Sequence, residues 1–127
     1  MSRENEERPE LPDEILEGIS TTEEDFQNKV LRPIIKMQSD LLIAHLNNQL
    51  KVSKIQLDQL PDLKKEAALT GLFTMNQAFK REIIGMVIGH LRLEEYAVYV
   101  GFNKEINRRI SQIVLNRCLD LVLDKKV

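Results

Sequence analysis

The sequence predicts an all-α fold, a bundle of four or five helices behind a weakly ordered acidic leader. Three observations carry this. The apolar content is Leu, Ile, Val and Ala, with aromatics at 5% and no Trp. Five Gly and four Pro are too few to punctuate many short strands. The apolar residues also recur at helical rather than alternating spacing. A chain of 127 residues fits one domain and can bury a core without staples. We divide it into a flexible leader, 1–20, and a helical bundle domain, 21–127.

The leader combines dense charge with Pro9 and Pro12 and offers little to bury. Within it, LPDEILEGI (11–19) can form one amphipathic turn that packs Ile15, Leu16 and Ile19 onto the body, or serve as a docking segment for a partner. Thr21 with Glu24, or Thr22 with Asp25, has capping-box spacing, and three acids suit a first helical turn. A long first helix follows, about 22–52, with an apolar stripe from Phe26 to Leu50. Pro33 lies inside it and predicts a kink or break near Arg32.

Residues 60–73 predict a second helix with Pro61 in its first turn. Asn76 is a suitable cap for a third, 77–89. A short fourth helix, about 92–100, carries LEEYAVYV and ends at Gly101. Asn103 is a natural N-cap for a fifth, running to about Lys125. Helices 1, 3 and 5 carry the widest apolar faces and are expected to form the core.

Gly85 and Gly89 sit four apart in REIIGMVIGHLRLEEY (81–96). A phosphate cradle needs a strand before its glycines and Lys with Ser/Thr after them, and neither is present. On a helix the pair makes a smooth strip that lets another helix approach. Gly85 is read as a packing or interface residue. Gly89 is a candidate for the same packing or interface role, or ends the helix as a left-handed cap.

His45 lacks a strong ligand at three or four residues either side and is read as a half-buried, hydrogen-bonded histidine. With Gln38 it could instead line a small polar cavity in the bundle, and that alternative stays open. His90 has Glu94 at i+4, but Gly89 argues against one continuous helix there. Glu94 and Glu95 read as acids at a helix start. Cys118, the lone cysteine, reads as a core side chain, since no disulfide or cysteine zinc site can form within one chain. No catalytic, cofactor-binding or metal-ligating residue is assigned.

The net charge of −2 conceals an asymmetry. Residues 1–26 hold ten acids against Arg3 and Arg8, a net of −8, and the remainder holds ten acids and sixteen Lys/Arg, a net of +6. A basic body suits an anionic partner, with the leader competing for the same surface. Lys80–Arg81, Arg108–Arg109, Arg92, Lys104 and Arg117 supply much of this charge. Helices 4 and 5 have the outline of a DNA-reading pair, although Glu94, Glu95 and Glu105 dilute the field. The charged N-terminus and the lack of a long apolar run predict a cytoplasmic protein with no membrane association.

FQNKVLRPIIKMQSDLL (26–42) and GMVIGHLRLEEY (85–96) resemble a family of short, mostly helical bacterial proteins, some of which carry the label glyoxalase. The resemblance spans about residues 20–125 and brings no catalytic residues with it. Enzymes of the glyoxalase I type are mixed α/β, with a metal held on strands by His, Glu and Gln. This sequence departs from that pattern, having neither strand runs nor that ligand set. The leading expectation is a small helical protein acting by protein–protein contact, including self-association into a homo-oligomer. The alternatives are a nucleic-acid-binding regulator using residues 92–125 and a small enzyme or ligand binder with a cavity near His45.

Overall fold

A computed structural model describes residues 22–123, so the leader, Thr21 and the Lys125–Lys126 end lie outside the described residues. Among the described residues every regular element is helical and there is no strand. The elements are α1 (Thr22–Phe26), a π turn (Gln27–Leu31), α2 (Arg32–Met37), α3 (Ser39–Val52), a 3-10 turn (Leu57–Gln59), α4 (Asp62–Met75), α5 (Gln77–Ile88), α6 (Leu93–Gly101) and α7 (Asn103–Val122).

The first predicted helix is interrupted, but not where Pro33 alone would break it. Arg32 N–H bonds the Gln27 carbonyl five residues back, forming a π turn just before the proline. The wide turn accommodates a residue that has no N–H to give, and the path stays helical through Met37. The break comes at Gln38, which leaves helical geometry at φ −97° and ψ 12°. There the Ser39 hydroxyl donates to the Ile35 carbonyl at 3.0 Å, a bond that competes with the backbone ladder and bends helices.

The later boundaries fall close to expectation. Pro61 stands just before α4 rather than inside its first turn, and its carbonyl accepts the Lys64 and Lys65 N–H groups. Asn76 caps α5 as its sequence position suggests, its side chain accepting the Phe79 N–H at 3.0 Å. Asn103 is not an N-cap. It is the first residue of α7, because the turn from α6 is a single residue, Phe102, whose N–H bonds the Tyr99 carbonyl. Tyr99 then ties the two helices together, its hydroxyl donating to Asn107 Oδ1 at 2.8 Å.

One apolar core runs through these elements. Its post is α7, which buries Ile106, Ile110, Val114, Leu115 and Cys118 and touches α2, α4, α5, α6 and the π turn. α3 contributes Leu42, Leu46 and Leu50, and α5 contributes Phe79, Ile83 and Val87. α4 belongs to the core as well, through Leu69, Leu72 and Phe73, so the three widest stripes do not form it alone. α6 is the exception, with no buried residue. No helix among the described residues is long and apolar enough to cross a membrane.

Candidate functional site

His45 lies on α3, where Leu42 and Leu46 face the core, and it is turned toward α5. Its Nε2 lies 2.8 Å from Glu82 Oε1, so the ring carries a proton there and donates it to the carboxylate. The ring stacks on Phe79 at a centroid distance of 5.5 Å, and Phe73 meets Phe79 edge-on at 5.3 Å. This is a half-buried, hydrogen-bonded histidine whose hydrogen bond and stacking join α3 to α5. Glu82 stands 37 residues away in sequence, so no local spacing announces it as the partner. Among the described residues no third His, Cys, Asp or Glu joins the pair in a metal-holding group.

Gln38, the other cavity candidate, sits at the helix break two turns before His45. Neither residue lines the cleft between α2 and α7 or the one beside Gly71 and Met75. His90 follows α5 in a turn, with a buried Nδ1, and Glu94 belongs to the next helix. Glu95 accepts the Arg92 N–H at 2.7 Å, which makes LEEY a capped helix start. Cys118 is buried, and burial pushes its thiol up to about 11 although the Arg117 charge acts in the opposite direction.

Gly85 does not pack within the described chain, and Gly89 ends its helix without left-handed backbone. α5 turns Phe79, Ile83 and Val87 inward, which leaves Gly85 on the opposite face. A Cβ at Gly85 would meet nothing within 4 Å, so no helix of the described chain packs against it. Gly89 does end α5, but at φ −59° and ψ −14°, which is right-handed backbone rather than a left-handed cap. Its N–H completes a last helical bond to the Gly85 carbonyl at 2.9 Å.

Several basic residues are already engaged. Arg108 donates through Nη2 to Glu105 Oε2 at 2.6 Å, and Arg109 donates through Nε to the same oxygen at 2.9 Å. Arg109 also reaches across to Gln27 Oε1 at 2.6 Å. The hydrogen bond from Arg108 lowers the Glu105 carboxyl below its usual range, and Arg109 acts the same way. Arg92 pairs with Glu95 at 3.6 Å. Arg109 therefore ties α7 to the π turn, while Arg108 is paired within α7.

α6 presents the largest chemical surprise. Leu93, Tyr96, Ala97 and Val100 fall at i, i+3, i+4 and i+7, the spacing of a core-facing stripe. Here the stripe faces solvent, with Leu93 81%, Tyr96 49% and Val100 55% exposed. Tyr99 and Glu95 occupy the side toward the body. The sequence carried the spacing of this stripe but no sign of which way it points. No family model, no curated protein and no solved structure matches this chain.

Proposed function

We propose that this protein works by protein–protein contact and associates with itself through the outward stripe of α6. The observation that carries the reading is a nine-residue helix with no buried residue and four apolar positions aligned away from the body. Exposed, aligned apolar side chains are what an incoming amphipathic helix covers. The stripes of α3, α5 and α7 motivate it less, since the chain covers them itself in one core. A helix of nine residues spans only about 13 Å. Contact through it alone is smaller than a standard stable interface, so the association is weak and concentration-dependent. On this reading the helices form a four- to five-helix bundle in the cytoplasm, as in the short helical bacterial proteins that residues 26–42 and 85–96 resemble.

Sedimentation velocity over a rising micromolar series tests it. The parent should show a sedimentation coefficient that climbs with concentration. Leu93→Glu with Val100→Glu, both at exposed positions, should keep the helical circular dichroism and remain monomeric. A parent that stays monomeric throughout would remove the self-association reading. Nucleic-acid binding draws less support, because Arg92, Arg108 and Arg109 each hold a carboxylate of their own chain. The ligand-binding reading at His45 also draws less, because Glu82 and Phe79 engage that ring.

A further inference from the structure

Helix α2 and the second half of α7 flank a cleft of about 370 Å³. Its apolar lining is Ile35, Ile113 and Leu121, and Arg32, Lys36 and Arg117 supply its positive charge. Asp120 is the carboxylate on the lining, so the balance is positive. Arg32 uses its Nε on Asn28 Oδ1 at 3.2 Å. Among the described residues, no ion pair joins Arg32, Lys36 or Arg117 to a carboxylate. Leu121, beside them, is 58% exposed. An apolar groove with cations on it suits a segment that alternates acids with aliphatic side chains.

We infer that this cleft is the seat of the chain's own residues 11–17, LPDEILE, which fold back onto it in cis. That segment offers Asp13, Glu14 and Glu17 to the cations and Ile15 and Leu16 to the apolar lining. Reach is sufficient. Gln27 lies beside Arg109, and Ile35 shares the cleft with Ile113 and Arg117, so the 22–37 stretch runs parallel to α7. Thr22 therefore lies at the far end of that stretch from Lys36. Fourteen helical residues separate the two, about 21 Å. Eight residues link Asp13 to Thr22, and extended chain covers about 3.3 Å for each, or roughly 26 Å. That length allows the acids from Asp13 to Glu17 to return along the groove. An external acidic segment would have to displace them, which makes the leader a competitor for any such partner. This cleft is separate from the α6 stripe, so the two readings stand or fall independently.

Zero-length carbodiimide coupling on the full chain tests this, using an equal mixture of unlabelled and ¹⁵N-labelled protein followed by peptide mass spectrometry. The expected product joins Lys36 to Asp13, Glu14 or Glu17, with both peptides carrying the same isotope. The Lys29–Asp25 pair, 3.5 Å apart, reports that the coupling works in the same sample. Arg117→Glu should remove the Lys36 product and leave the Lys29 product, and added salt should weaken it in the same way. Three results would each overturn the inference. The leader acids could couple equally to Lys51, Lys64 and Lys80, the Lys36 product could be absent while the Lys29 control forms, or the Lys36 product could carry mixed isotopes, which would place a second copy in the cleft.

Discussion

Early in α7, Arg108 and Arg109 share Glu105, and Arg109 reaches on to Gln27 of the π turn. Little more than two turns later, Arg117 meets Arg32 and Lys36 at an open cleft. The same two stretches of chain make both ends of this seam, with similar residue types, and only one end is closed. Helical spacing accounts for the difference. Glu105 stands three and four residues before its arginines, the favourable order for a pair along a helix. Arg117 has Ile113 four residues before it and Asp120 three after, so the favourable partner is missing. Charge content alone does not make a surface available for binding; the register of acids and bases along one helix decides which cations are spent at home.

The largest test of this contrast is in the packing. Ile110→Ala, beneath the closed end and fully buried, should lower stability by about 2–5 kcal/mol in denaturant titration. Leu121→Ala at the open end, more than half exposed among the described residues and covered there only by the leader, should cost far less, about 1 kcal/mol. Equal losses would mean that the open end is packed in solution as tightly as the core.

Cys118 gives the next effect, since it lies at the open end yet faces the core. Burial holds its thiol near 11, against an ordinary 9.0. A neutral thiol favoured by the fold stabilises fully below the ordinary value, and that contribution disappears as pH rises toward 11. Unfolding titrations between those limits should lose up to roughly 2–3 kcal/mol that a Cys118→Ala protein does not lose over the same range. At neutral pH the thiol should react with iodoacetamide about 100-fold more slowly than a free cysteine, from its ionisation alone.

The smallest effect sharpens the closed end. Glu105→Gln leaves Arg108 and Arg109 without their shared carboxylate and should lower the melting temperature slightly, far less than Ile110→Ala. The Glu105 carboxyl is lowered in the fold, so its contribution is present above the ordinary carboxylate range and lost as pH falls below it. Melting curves of parent and variant should therefore converge in acid. A gap that persists there would assign the role to shape rather than charge.

The helical class was legible because composition and 3.6-residue spacing agree along the whole chain. Asn76 was legible because its cap is made with a residue three positions on. What escaped sequence reading depends on contacts between distant residues. The Glu82 partner of His45 is one example, and the outward turn of α6 is another. Gly85 is a third, since within the described chain no helix packs against it. Four-residue spacing of glycines makes a smooth strip, but nothing local states whether a helix lies against it. The long first helix was legible as a helix but not in its break, which sits at Gln38 because the π turn had already absorbed Pro33.

That π turn has a consequence for how the chain tolerates insertion and deletion. Phe26 and Ile34 are both buried, yet eight residues on an uninterrupted α-helix would set them about 80° apart. Taking one residue up in a wide turn brings them to within about 20°. The Gln27–Leu31 stretch therefore behaves as a one-residue insertion that keeps both flanks in phase. Removing Asn28 alone should restore a plain turn in phase but drive Pro33 against the carbonyl before it. Pro33→Ala alone should leave the extra residue without the proline that suits it. Made together, the two changes should cost less in thermal melts than the sum of their separate losses, so a length change and a distant-looking substitution form one unit of tolerance.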